Sequence, residues 1–391
     1  MKLTLRQQIT QFAHVLQSQL FPAMEEAVGE LDETARRLVA VLEMVPLARF
    51  VPASRGWRGR PRKDRLAIAT AFVAKAVYGF SLTRQLLERL HQDPQLRRVC
   101  GWIHAHQVPH ESTFSRAFAE FARMELPQFV HEALIASTQK DRLIGHIARD
   151  STAIEARERF PEAGPQASAS PATPKRQPGK RGGPHRRYKG GKRPGRTPQE
   201  DTRLHRQRRM SLPEMLAELP RHCSLGVKTK EGGNQQYWRG YKLHLDVADG
   251  QIPISAILTA ASLHDSQAAI PLATLTAQRV TSLYDVMDAA YDAAEIYEHS
   301  RSLGHVPIVR PVKRKQKEIP FSGREKWEAR EMTWAEQDRF RERTMVERVN
   351  ARLKDEFGGR QIRVRGASKI MAHLMFGVLV LTADQLLKLG M

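Results

Sequence analysis

Residues 240–258 read GYKLHLDVADGQIPISAIL, and here the chain stops reading as helix and starts reading as sheet. Tyr241, Leu243, Leu245 and Val247 alternate with Lys242, His244 and Asp246, the period of two that sends successive side chains to opposite faces of a strand. Asp249 and Gly250 supply a turn, and Ile252, Ile254, Ala256 and Leu258 then alternate again, so the segment predicts a β-hairpin with one buried face. Downstream, helical spacing over 266–278 is followed by an apolar strand over Leu283–Met287, a helix near 293–303 and a strand over 306–312. Upstream, an apolar run from Leu143 leads into Asp150-Ser151-Thr152.

Before that run the pattern is helical. Leu38, Val41, Leu42 and Val45 lie at i, i+3, i+4 and i+7 ahead of Pro46, and further helices are predicted over 66–78, 82–90 and 112–124. In the last of these Phe114, Phe118 and Phe121 form an apolar stripe behind a Pro, Ser and Thr start signal. Short helices in this arrangement suit a helix-turn-helix-like DNA-binding unit, and equally a bundle packed for stability alone. The basic turn at 57–63 contains Arg58-Gly-Arg-Pro61, which has the form of a minor-groove hook or of a plain basic turn.

The excess of 63 Lys and Arg over 42 Asp and Glu, a net charge of +21, calls for a polyanionic partner, nucleic acid or an anionic membrane surface. About half of that excess falls in residues 161–210, where 14 Lys and Arg face three acidic residues among Pro, Gly and Ser. Such a composition supports no core and predicts a disordered basic insert suited to phosphate neutralisation. Cys100 and Cys223 have no paired spacing, which leaves buried free thiols as the expectation and gives no zinc site. No secretory signal is visible, so a cytoplasmic protein is expected. The apolar run from Ile370 to Ala383 is shorter than the roughly 20 residues of a membrane span and predicts a buried C-terminal helix.

Three carboxylates are candidates for chemistry. Asp150 follows the Leu143 run, and Asp288 ends the Leu283–Met287 strand, a place where a lone carboxylate is more often a turn former or a cap. Glu347 is set apart by its helix. At about 100° per residue, Phe340, Arg343, Glu347 and Lys354 share an arc of about 60°, opposite the apolar Met345, Val346, Val349 and Leu353. Arg341, Arg348 and Arg352 stripe one flank, and a solvated charged face is the alternative reading. Three carboxylates in one site suit phosphodiester chemistry with two Mg²⁺ ions about 3.5–4 Å apart, hard cations that take oxygen ligands.

With these residues in hand, the chain resembles the DDE transposases of bacterial insertion sequences, of the insertion-sequence-four and insertion-sequence-five kind. In that family the third acidic residue lies in a signature of Tyr, two residues, Arg, three residues, Glu, six residues, Lys. Phe340, Arg343, Glu347 and Lys354 reproduce the spacing with Phe for Tyr. Met287-Asp-Ala-Ala-Tyr-Asp292 resembles the family's second acidic segment, with Ala290 in place of the usual glycine, and Asp150-Ser151-Thr152 resembles the first. The likeness covers about residues 145–390.

The resemblance implies an α/β, ribonuclease-H-like catalytic domain over 141–391, a mixed sheet flanked by helices and interrupted by the 161–210 insert, preceded by an all-helical DNA-binding region over 1–140. It implies Asp150, Asp288 and Glu347 as catalytic metal ligands for two Mg²⁺ ions, for which Mn²⁺ is the expected substitute. Phe340, Lys242, Arg343, Arg348, Arg352 and Lys354 become expected DNA contacts, Asp265 a helix cap and Asp292 structural. Residues 316–337 become an insert near DNA ends or a partner subunit. The partners implied are double-stranded DNA, both element ends and target, and a second copy of the chain on DNA, with no membrane and a nucleoid-associated location. A transposase-derived repressor without catalysis, and a metal-dependent nuclease without strand transfer, are the alternatives.

Overall fold

The computed structural model describes residues 29–51, 63–158, 202–229, 234–311 and 332–390. The Arg58–Pro61 motif, most of the 161–210 insert and most of 316–337 lie outside them. Among the described residues the N-terminal part holds six α-helices: α1 (Glu33–Met44), α2 (Arg65–Val77), α3 (Thr83–Gln92), α4 (Pro94–Val99), α5 (Glu111–Arg123) and α6 (Leu126–Thr138). Asp32, Asp64 and Asp93 cap α1, α2 and α4 by accepting N–H groups of the first turn, which is where Asp is favoured. Phe114, Phe118 and Phe121 of α5 all point inward.

The sheet is built from β1 (Leu143–Glu155), β2 (Ser224–Thr229), β3 (Gln235–Ala248), β4 (Ile252–Ala260), β5 (Thr281–Met287) and β6 (Val306–Val309), with α7 (Arg203–Gln207), α8 (Leu212–Glu218), α9 (Ala269–Ala277) and α10 (Ala294–Ser302) between them. Its path is β2-β3-β1-β5-β6, and β4 pairs with β3 as the predicted hairpin. β1 runs antiparallel to β3 and parallel to β5, and β5 parallel to β6, so the sheet is mixed. α11 (Trp334–Phe340), a 3₁₀ turn at Arg341–Arg343, α12 (Thr344–Asp355) and α13 (Ala367–Lys388) complete the chain.

The hairpin has two buried faces where the sequence suggested one. His244 and Asp246 are as inaccessible as Leu243 and Leu245. The buried Asp246 is matched by Arg149 on the next strand, whose Nε and Nη2 donate at 2.8 and 2.7 Å, and by the Thr276 hydroxyl at 2.7 Å. Burial alone would lower the Arg149 pKa, but the Asp246 and Asp285 carboxylates override it and hold the guanidinium charged.

α13 is long and apolar enough to cross a membrane, and longer than the apolar run suggested, but it is buried as the predicted core helix. Its Phe376 ring lies 5.7 Å from Phe72 of α2 and 6.4 Å from Phe118 of α5. On α6, His131 is buried with Nε2 3.1 Å from both the Pro253 carbonyl of β4 and the Thr382 hydroxyl of α13, and burial lowers its pKa to about 3. The N-terminal helices and one face of the sheet therefore share a continuous hydrophobic core.

The expected structureless insert fails over 202–210. Thr202 caps α7, the buried Gln207 donates to the Gln267 carbonyl at 2.9 Å, and Leu204 and Met210 pack on the Tyr291 and Ile296 cluster. Averaging composition over fifty residues hides these few apolar anchors. Both cysteines are free and buried, as expected.

Gly240 is the residue of β3 at which its pairings with β2 and with β1 meet. At its φ of +151° a Cβ would lie 2.1 Å from the Ile154 carbonyl oxygen, a backbone atom that cannot swing away. Gly240→Ala is expected to cost about 1–3 kcal/mol by overpacking. Urea denaturation measures this directly, and an unchanged midpoint with unchanged slope would contradict the tight β1–β3 approach.

Candidate active site

Asp150 lies on β1, the strand between β3 and β5. Arg149 is in register with Met287, the last residue of β5, so the next residues, Asp150 on β1 and Asp288 just past the end of β5, emerge side by side. Asp288 caps a 3₁₀ turn at Ala289–Tyr291 by accepting the Ala290 N–H at 2.9 Å. α12 packs across β1 and β3 with Met345, Val346, Val349 and Leu353 buried, the apolar face expected of it.

Asn350, also on the buried side of α12, donates from Nδ2 to Asp150 Oδ2 at 3.4 Å. Glu347, one turn earlier, is half-exposed and accepts from Arg343, whose guanidinium lies 5.7 Å from the centre of the Phe340 ring. The residues from Phe340 to Lys354 do not form one continuous α-helix, because the Arg341–Arg343 3₁₀ turn interrupts it. Arg339 of α11 fixes the approach by stacking on Tyr284 of β5, 4.0 Å from its ring centre.

Burial above all, aided by Asp288 and Asp265 and opposed by the Ser151 N–H and Arg343, pushes the Asp150 carboxyl up to about 6. Tyr291 is buried near the same three aspartates, and its hydroxyl has no hydrogen-bond partner among the described residues; nor has Asn350 Oδ1. The site thus concentrates oxygen atoms with unmet coordination around a carboxylate short of positive charge. Among the described residues no three His, Cys, Asp or Glu side chains stand close enough to hold a metal ion as they are. Asp150 and Asp288 are brought together, while Glu347 remains with Arg343.

Two expected DNA contacts are committed elsewhere. Lys242 donates to the Leu263 carbonyl at 2.8 Å and to Asp265 at 2.9 Å, so it pins the turn after β4. Arg352 donates to Glu356, Gln385 and Asp384 at 3.1, 2.9 and 2.6 Å, tying α12 to α13. The cap expected at Asp265 belongs to His264, which accepts the Ser266 N–H. Asp292 accepts from the Tyr297 hydroxyl at 3.3 Å, a structural contact. Arg348 is exposed on α12, and the Lys354 ammonium is pushed down by burial and then by the neighbouring Arg360 and Lys228 cations. Asn350 and Tyr291 were missed because nothing in their spacing marks a neutral side chain as part of a site.

Residues 215–383 match the model of the Transposase DDE domain, and residues 24–120 that of a Transposase domain (DUF772). The chain belongs to the DDE transposase family. It is of the insertion-sequence-four and insertion-sequence-five type, and its mixed sheet flanked by helices is the ribonuclease-H-like DDE fold with a helical region before it. The DDE match starts after β1, so Asp150 lies outside it, yet β1 is hydrogen-bonded on both sides to strands inside it. The sheet of the transposase domain is therefore completed by a strand that ends sixty residues upstream of the matched span. The family carries phosphoryl-transfer chemistry on DNA and generally uses divalent metals. No curated protein and no solved structure matches the chain.

Proposed function

We propose that this chain is a DNA transposase that binds the terminal inverted repeats of an insertion sequence and catalyses metal-dependent cleavage and strand transfer. The observation that carries the reading is the emergence of Asp150 and Asp288 side by side, on β1 and just past β5, from a sheet against which the helix bearing Glu347 packs. Asp150, with its raised pKa and the unpartnered oxygens near it, fits a hard divalent cation, and so does Asp288 beside it. Glu347 fits as the third ligand once Arg343 releases it, an exchange a DNA phosphate near Arg343 would favour.

When bound, two Mg²⁺ ions, or Mn²⁺ in their place, would activate the attacking oxygen and stabilise the leaving one. The chain's own part is to orient Asp150 through Asn350, to seat Asp288 on its turn, and to offer Arg343, Arg348 and Lys354 to the phosphates with Phe340 under the first. Water would attack in the first step and leave a 3′-hydroxyl, which would attack the target phosphodiester in the second. Synapsis of two ends calls for a dimer on DNA, in the cytoplasm at the nucleoid.

The test is cleavage and joining of a labelled duplex carrying the element's own ends with Mg²⁺, comparing the parent chain with Glu347→Gln. Transfer products from the parent and none from the variant, with end binding kept by both, are expected. Binding without cleavage by the parent would replace this reading with that of a repressor, and cleavage without joining with that of a nuclease.

A further inference from the structure

Away from the carboxylates, a groove of about 440 Å³ opens where the end of β1, the first half of β3 and the loop after α12 meet. Trp238 forms its floor. The indole is buried flat against Gly226 of β2, where a Cβ would lie 2.2 Å from it, and Nε1 donates to the Tyr241 carbonyl at 3.2 Å. Arg157, Arg239 and Arg363 stand exposed around this floor, beside Arg360, whose Nε donates to Asp355 at 2.9 Å, and Glu155 is the acidic residue among the lining side chains.

The backbone beneath these arginines is fixed. Ala156 donates to the Arg239 carbonyl at 3.0 Å and continues the β1–β3 ladder past its last strand residue. Beyond α12, Gly359 and Arg360 donate to the Leu353 and Lys354 carbonyls at 2.9 and 3.2 Å, and Ile362 is buried. The loop carrying Arg360 and Arg363 is thereby locked to the C-terminus of the helix whose other end carries Glu347.

Three exposed guanidinium groups spread around a slot suit a chain of phosphates better than a single anion, and the planar fork of Arg matches phosphate oxygens. Seven residues at about 3.3 Å each separate Asp150 from Arg157, roughly 23 Å. A DNA strand advances about 3.4 Å per nucleotide. We infer that this groove holds the sugar-phosphate backbone of the bound element end about seven nucleotides from the scissile phosphate, with Arg157, Arg239 and Arg363 as its phosphate contacts. This rests on the transposase reading and adds to it a second, remote point of attachment.

The experiment uses the full chain and a duplex of the element's terminal sequence, with affinity measured from about 50 to 200 mM salt. Arg157→Ala/Arg363→Ala is expected to make the slope of log affinity against log salt shallower by about 2, one unit per lost phosphate contact. Methylphosphonates placed about six to eight nucleotides from the cut should weaken binding by the parent chain more than binding by the double variant. A double variant with the parent's salt slope, from a parent that binds and cleaves, overturns the groove assignment alone. A parent that does not bind the terminal duplex overturns both the groove and the functional reading.

Discussion

Asp150→Asn is expected to abolish cleavage and yet to give a protein more stable than its parent at neutral pH without divalent cations. The Asp150 carboxyl titrates at about 6 in the fold, against an ordinary value of 3.8. The folded state thus holds this proton more tightly than the unfolded chain does, so stability falls as pH rises between about 4 and 6 and stays lower above that range. Two units correspond to about 3 kcal/mol, an amount the uncharged, near-isosteric Asn side chain would recover at pH 7.5. At pH 4, where the parent is largely protonated at this position, the two proteins should unfold together. Thermal denaturation in a chelator at both pH values measures the difference. Mg²⁺ should then raise the melting temperature of the parent more than that of the variant. Equal stability at pH 7.5 would mean that Asp150 is not charge-strained, and the argument that it awaits a cation would fall with it.

The same residue shows how far the sequence could be read. The β3–β4 hairpin was legible because alternation is a local signal and the turn residues lie between its two halves, and β5, α10 and β6 followed in the predicted order. The apolar face of α12 was legible from its spacing, since one helix suffices to define a face. What could not be read depends on partners distant in the chain. Lys242 and Arg352 look like free cations in a basic sequence, and only the fold shows Asp265 and Asp384 waiting for them. Asn350 meets Asp150 across 200 residues, so no spacing rule could have found it. The break at Arg341–Arg343 escaped for another reason: the 3₁₀ turn keeps hydrogen bonding nearly helical and contains neither Gly nor Pro to announce it.

Asp246→Ala is expected to have the largest effect on stability, about 3–5 kcal/mol, the cost typical of stranding one member of a buried ion pair. Arg149 is 1% exposed and would keep its charge with two of its donors emptied. Thr276 would lose its acceptor as well. Moving Arg149 cannot leave the site untouched, because it precedes Asp150 on β1 and its Nη1 lies 3.3 Å from the sulfur of Met287, which precedes Asp288 on β5. Activity at a temperature where the variant is still folded should therefore fall too. Replacing both partners, Arg149→Met with Asp246→Leu, removes the stranded guanidinium and should restore part of the stability, since apolar packing can substitute for a buried pair while Asp285 keeps His305 and Ser300 but loses the Arg149 charge. Urea denaturation of the three variants separates the cases. An Asp246→Ala loss under 1 kcal/mol would show that water reaches Arg149. A double variant as unstable as the single one would show that the pair fixes the β1–β3 register, and not merely its own charges. The carboxylates of the site then stand where they do because the residue before one of them is held by a charge that the core could have done without.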